Sequence, residues 1–190
     1  MNIKWKDWFT IPNILVYIRI LLLPVFIYIY LHAEGPEDYI AAALVIGVQG
    51  LTDLFDGMIA RKFTQITELG KFLDPVADKL TQGTWVFCLL SRYPMMWVLA
   101  GFFVVKEGFM LVMGAVMLRH NGRKLDGALW CGKVCTTVLD ISMFLLLLLP
   151  ILPDMILYIV ITICLGFMLW SFVTYATEFR KMWDLERLIG

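Results

Sequence analysis

Residues 14–32 read ILVYIRILLLPVFIYIYLH, an apolar run with one full charge, Arg19. A bilayer core about 30 Å thick is crossed by about 20 helical residues rising about 1.5 Å each. The run is therefore long enough to span a membrane, and its single Arg is the first feature that needs a reason. Five more runs follow, near 39–60, 73–92, 96–118, 130–152 and 155–176. The six together take up most of the 190 residues, of which 61% are apolar, with a mean hydropathy of +0.79. A soluble domain carries roughly 45–50% apolar side chains. The expected fold is all-α and integral to a membrane, with six transmembrane helices.

Sixteen basic and sixteen acidic residues cancel, so no global field draws in nucleic acid and none is expected as a partner. The placement of the charges carries the information. Lys4 and Lys6 precede the first run, and Arg61, Lys62 and Lys71 lie between the second and third. Arg119, Arg123, Lys124 and Lys133 surround the fourth connection, and Arg180, Lys181 and Arg187 end the chain. The opposite connections hold Arg92 with the acidic Glu34, Glu37, Asp38 and Asp154. By the positive-inside rule both termini face the cytoplasm, and an even number of spans agrees.

Residues 1–10, with Lys4, Trp5, Lys6 and Trp8, read as a short interfacial helix and not as a removable signal, since no small-residue cleavage site follows a short apolar stretch. The connections are too short for another folded domain, so 1–190 is expected to be one membrane domain. Cys88, Cys131, Cys135 and Cys164 form no CxxC pair and are expected to be small buried residues without metal or redox chemistry.

Charged groups at membrane depth cost at least about 2.5–3.5 kcal/mol each on insertion scales, and therefore signal function. Asp53 and Asp56 are spaced i,i+3, and Asp74 and Asp78 i,i+4, which puts each pair on one helical face. If the second and third helices pair antiparallel, they aim four carboxylates at one point. That point lies below the cytoplasmic surface, because Asp53 precedes Arg61 by two helical turns. Any one of these acids could form an ordinary boundary salt bridge with Arg61, Lys62, Lys71 or Lys79. Four at these spacings are expected to act together.

Four clustered carboxylates cannot all ionise without a compensating cation. Oxygen donors without Cys or His point to Mg²⁺ or Mn²⁺ in place of zinc. Gly57 and Ala60 keep the helix face thin for a phosphate, and Arg61 supplies a two-pronged phosphate donor. This combination suggests phosphoryl transfer, with a pair of ions bridging a diphosphate and a spare carboxylate taking the proton of an attacking hydroxyl. A divalent-cation transporter also uses intramembrane carboxylates, but such carriers place them near the midplane among broken helices or repeats. No internal repeat is visible here.

The stretch Asp53-Leu54-Phe55-Asp56-Gly57-Met58-Ile59-Ala60-Arg61, followed by Gly70, Asp74 and Asp78, resembles the signature of the CDP-alcohol phosphatidyltransferase family at every defined position. The start Ile11-Pro12-Asn13 leading to Arg19 and Pro24 resembles the family's first span. The motif occupies 53–78; the wider resemblance covers essentially the whole chain. It implies six membrane helices with cytoplasmic termini, and transfer of a substituted phosphate from a CDP-linked lipid to an alcohol with release of CMP. It further implies that Asp53, Asp56, Asp74 and Asp78 hold a divalent pair and that Asp78 is the general base. Gly57, Ala60, Arg61 and Gly70 would then lie against the CDP donor.

Within the family, the run Leu73-Asp74-Pro75-Val76-Ala77-Asp78-Lys79 and the later Gly132-Lys133-Val134 most resemble bacterial phosphatidylglycerophosphate synthases. That branch joins CDP-diacylglycerol to sn-glycerol 3-phosphate. An anionic acceptor needs cations, which Lys133, Arg119, Arg123, Lys124 and Arg19 can supply. Cardiolipin synthases, whose acceptor is phosphatidylglycerol, share much of the same run and are the alternative. Many glycerophosphate-using relatives carry Arg-Glu where this chain has Lys106-Glu107. A homodimer in a bacterial-type cytoplasmic membrane, with the active site toward the cytoplasm, completes what the resemblance implies.

Other residues carry packing expectations. Gly47 and Gly50, with Ala41, Ala42 and Ala43, are expected to let helices approach closely. Trp85, Trp97 and Trp170 are read as anchors or core, and Met110, Met113 and Met117 as adaptable packing. Arg19 is expected to meet a motif carboxylate or a substrate phosphate, or to snorkel to the interface. Lys106 and Glu107 diverge by about 100° on a helix and are expected to find separate partners.

Overall fold

The computed structural model describes residues 8–62, 67, 69–121, 129–149 and 152–187, excluding the side chains of 54, 56, 57, 59–62, 71, 72, 120, 121 and 184–187. Six helices follow in order: α1 (Ile11–Leu31), α2 (Pro36–Lys62), α3 (Gly70–Leu90), α4 (Met96–Asn121), α5 (Trp130–Leu148) and α6 (Asp154–Arg187). Among the described residues there is no strand. Each helix matches one of the six apolar runs. Four of them, α1, α4, α5 and α6, are long and apolar enough to cross a membrane. Among the described residues α2 and α3 do not reach that measure, and they are the two that carry the aspartate motif. Of the expected interfacial helix, Trp8 and Phe9 form a short 3₁₀ turn, and residues 1–7 lie outside the described residues.

The chain divides into two compact units, one of residues 1–92 with 144–150 and the other of 93–143 with 151–190. In the first, Pro12 enters α1 at its first turn, where the missing N–H is not needed. The α1–α2 turn is closed by Asp38, whose Oδ2 accepts from the N–H groups of Glu34 and Gly35 at 3.0 and 3.1 Å. The buried face of α1 is Val16, Arg19, Leu23, Phe26 and Tyr30, a 3,4,3,4 spacing with Arg19 inside it.

Both α2 and α3 pack on that helix. Each packs on α1, which is a common wall of the motif, and Asp53 of α2 and Asp78 of α3 meet at the same α1 residue, Arg19. Among the described residues, Ala42, Ala43, Ile46 and Gln49 are the buried positions of α2, and Ala77, Thr81, Trp85 and Val86 are among those of α3. Gly47 and Gly50 do not act as expected within the chain, since a Cβ on either would meet nothing within 4 Å. The small buried positions on this helix are the alanines.

Apolar stripes alone do not hold helices together in lipid, where the tails are as apolar as leucine; close packing and polar contacts do. In this unit the polar contacts converge on α1. Asn13 Nδ2 donates to Thr67 Oγ1 at 3.2 Å, and the same oxygen accepts from the N–H of Gly70, the first residue of α3, at 2.9 Å. At the far end Tyr30 meets Tyr39 edge-on at 5.5 Å, and the Arg92 guanidinium lies 4.2 Å from the centre of the Tyr39 ring.

In the second unit α4 packs on α6 through aromatic pairs, Phe102 and Phe109 against Phe172 at 6.0 and 4.9 Å, and Phe109 against Phe179 at 6.1 Å. Met117, Cys131, Tyr175 and Phe179 form the buried cluster, with Met110 and Met113 against it. All four cysteines are buried and free. Trp85 is core, while Trp97 and Trp170 are exposed.

Tyr175 Oη accepts from the N–H of Leu129 at 3.0 Å, just before α5 begins. It also sits where a Cβ on Gly132 would come within 2.5 Å of Oη and 3.0 Å of the ring. Gly132→Ala is therefore expected to lower the melting temperature in detergent, at a cost of about 1–3 kcal/mol for overpacking against a rigid ring. Tyr175→Phe removes the nearest clashing atom, so the double variant is expected to lose less than the two single losses added together. Strict additivity would show that this contact does not set the cost.

Candidate active site

Three helices of the first unit build the site. Asp53 stands on α2, Asp74 and Asp78 on the second and third turns of α3, and Arg19 on the buried face of α1. Arg19 Nη2 pairs with Asp53 Oδ1 at 2.5 Å, and Arg19 Nη1 donates to Asp78 Oδ1 at 2.6 Å. The guanidinium side chain is 3% exposed, whereas the Asp53 and Asp78 side chains are 51% and 49% exposed. The arrangement is a buried cation carrying two carboxylates whose other sides are open. Asp74 is exposed and lies within electrostatic reach of both Asp53 and Arg19.

The anchoring of Arg19 explains why it pairs instead of snorkelling. Gln49, one turn before Asp53 on the same face of α2, donates from Nε2 to the Arg19 carbonyl at 3.2 Å. The root of the side chain is thereby tied to the helix that carries its partner. Neither Gln49 nor Thr67 is singled out by the motif. A buried polar residue within an apolar run is the signal that finds Gln49.

Gly70, expected beside the nucleotide, has a second neighbour in the fold. A Cβ there would come within 2.8 Å of Asn13 Oδ1 and 3.1 Å of Thr67 Oγ1. The glycine lets α1 and the start of α3 approach. Asp56, Gly57, Ala60 and Arg61 lie on the last turns of α2, with side chains outside the described residues.

Of the expected acceptor cations, Lys133 and Arg119 are exposed residues of the second unit, while Arg123 and Lys124 lie outside the described residues. Arg19 is engaged by Asp53 and Asp78. The reading of Lys106 and Glu107 is corrected by the structure: Lys106 Nζ and Glu107 Oε1 pair directly at 2.7 Å. Adjacent Cβ atoms do diverge on a helix, but the four-carbon lysine stem is long enough to curl back to its neighbour. Lys106 is buried, so the pair supplies the compensation its charge needs there.

Chemically, the donor set is hard oxygen, open on one side, which suits Mg²⁺ or Mn²⁺ and not zinc, while the buried Arg19 charge behind it opposes a cation. Among the described residues no three His, Cys, Asp or Glu side chains already converge on one ion position. Asp56 is not among those side chains, and the Oδ1 atoms of Asp53 and Asp78 are held by Arg19. The donor chemistry therefore fits a divalent ion, and the geometry is that of an arginine-bridged pair.

Comparison with known proteins bears on the whole of this arrangement. The CDP-diacylglycerol–glycerol-3-phosphate 3-phosphatidyltransferase of Escherichia coli (strain K12) is 33% identical over 144 residues, 75% of this chain and 79% of the relative. Proteins of the same name from Shigella flexneri serotype 5b (strain 8401) and Shigella sonnei (strain Ss046) match to the same extent. Residues 9–173 fit the family model described as CDP-alcohol phosphatidyltransferase, a stretch that takes in α1, the aspartate motif and most of both units, and the chain therefore belongs to the CDP-alcohol phosphatidyltransferase family.

Proposed function

We propose that this enzyme transfers a phosphatidyl group from CDP-diacylglycerol to sn-glycerol 3-phosphate, giving phosphatidylglycerophosphate and CMP. The observation that carries the reading is the convergence of Asp53 and Asp78, from two helices, on one buried guanidinium within a chain of this family. The relatives' name supplies the acceptor. The family match runs across both compact units, which supports treating 1–190 as one domain.

In this reading Asp53, Asp56, Asp74 and Asp78 hold two Mg²⁺ or Mn²⁺ ions, which supply charge neutralisation for the diphosphate when bound. Gly57, Ala60 and Gly70 let the CDP moiety approach the helices, and Arg61 grips its phosphates. Asp78 accepts the proton of the acceptor hydroxyl. The hydroxyl oxygen bonds to the lipid-bearing phosphorus, the bond from that phosphorus to the CMP oxygen breaks, and CMP leaves with the electron pair. Lys133, with Arg119, Arg123 and Lys124, attracts the acceptor's own phosphate.

The four apolar spans, with α2 and α3 also crossing, make six crossings with both termini cytoplasmic, as the basic residues indicate. The site then opens to the cytoplasmic side of a bacterial-type cytoplasmic membrane, and lipid donor enters from the inner leaflet. We assign the functional unit as a homodimer.

The test is CMP release by purified protein from CDP-diacylglycerol with Mg²⁺ or Mn²⁺, offering glycerol 3-phosphate, phosphatidylglycerol, inositol phosphate or serine. Release stimulated by glycerol 3-phosphate alone, with phosphatidylglycerophosphate as product, is expected. Stimulation by phosphatidylglycerol instead makes the enzyme a cardiolipin synthase. No release with any acceptor from folded protein overturns the transferase reading and leaves the aspartates to cation transport.

A further inference from the structure

We propose that Arg19 is a built-in counter-ion for the metal site: it holds Asp53 and Asp78 together when no divalent ion is bound and yields them when one binds. This rests on the metal role proposed above for the aspartates, and it makes α1, which lies outside the motif, a determinant of metal affinity.

The argument begins with the atoms. The two Oδ1 oxygens that Arg19 engages, at 2.5 and 2.6 Å, belong to two of the four carboxylates expected to ligate metal. A guanidinium in contact with an oxygen and a divalent cation bound to the same oxygen repel each other strongly, so the two states compete. Arg19 cannot escape to water as a surface arginine would. It is 2% exposed, it lies on the buried stripe of α1, and its carbonyl is tied to Gln49.

Without that charge, Asp53 on α2 and Asp74 and Asp78 on α3 would repel one another with little among the described residues to offset it. Among the described residues, Lys79 is the other cation within electrostatic reach of Asp78, and its Nζ donates to Gln82 Oε1 at 3.2 Å. Arg19 alone spans from α2 to α3 among the described ion pairs. Its two nitrogens engage separate carboxylates, a geometry that a single ammonium cannot reproduce.

The experiment compares wild type, Arg19→Met and Arg19→Lys in detergent, measuring Mn²⁺ affinity by the electron paramagnetic resonance of free Mn²⁺ and melting temperature with and without Mn²⁺. Removing the competing charge is expected to tighten Mn²⁺ binding about tenfold in Arg19→Met. Its metal-free melting temperature falls while its Mn²⁺-loaded one stays near wild type. Arg19→Lys keeps the charge, so its Mn²⁺ affinity stays within about twofold of wild type. Its metal-free form is nevertheless less stable, because one carboxylate is released.

A purely structural arginine gives the opposite sign, with weaker Mn²⁺ binding in both variants and equal loss of stability with and without metal. Unchanged or weaker Mn²⁺ binding in Arg19→Met overturns the proposal. If Arg19→Met does not fold, Arg19→Lys decides: loss confined to the metal-free form supports the proposal, and equal loss in both forms overturns it. Failure of the wild type itself to bind Mn²⁺ overturns the metal reading, and this proposal with it.

Discussion

Replacing Asp78 by Asn is expected to lower CMP release at least about 100-fold, the usual scale for a lost general base, in a protein that remains folded. The substitution conserves shape, and the amide oxygen of Asn can still accept from Arg19 Nη1, which now lies 2.6 Å from Asp78 Oδ1. The side chain is half exposed, so no buried void is created. In the proposed mechanism what is lost is the basicity that takes a proton from the acceptor hydroxyl, together with one negative charge toward the metals.

The two losses separate in kinetics. Loss of a proton acceptor lowers kcat at saturating Mn²⁺, whereas weakened metal binding is recovered by raising its concentration. A variant restored to near wild-type turnover by extra Mn²⁺ would remove Asp78 from the base role and leave it as a ligand only. Near-normal turnover without added metal would remove it from both.

The number, type and approximate limits of the helices are legible in the sequence because membrane spans are written in length and apolarity, which do not depend on tertiary context. The motif is legible for a different reason: its charges interrupt apolar runs, where charge is costly at membrane depth. What could not be read is which helix pairs with which. Motif spacing puts Asp53 and Asp78 on defined faces of α2 and α3, yet nothing in it says that both helices pack on α1.

The same limit applies to single residues. Arg19 reads equally well as a ligand of carboxylate, of phosphate or of the interface until the stripe Val16, Arg19, Leu23, Phe26 is known to be buried. Gly47 and Gly50 look like packing glycines, but their placement opens onto space within the chain. Lys106 and Glu107 fail as separate charges because helical angle describes where Cβ points, and a lysine ammonium sits four bonds farther on.

Removal of divalent ions is expected to abolish turnover while sparing the fold. Excess chelator should lower CMP release by at least about a thousandfold, since neutralising a diphosphate leaving group contributes several kcal/mol and each 1.36 kcal/mol is about tenfold in rate. Mg²⁺ or Mn²⁺ added back should restore it. The retained fold follows from Arg19, which already bridges Asp53 and Asp78 with its charge buried between α1, α2 and α3. Stability of the metal-free protein is thus expected to depend on an internal ion pair, and its turnover on external ions. Activity that survives exhaustive chelation would mean that the carboxylates work as bases and salt-bridge partners alone. Unfolding on chelation would mean that the ions, and not Arg19, hold the three helices together.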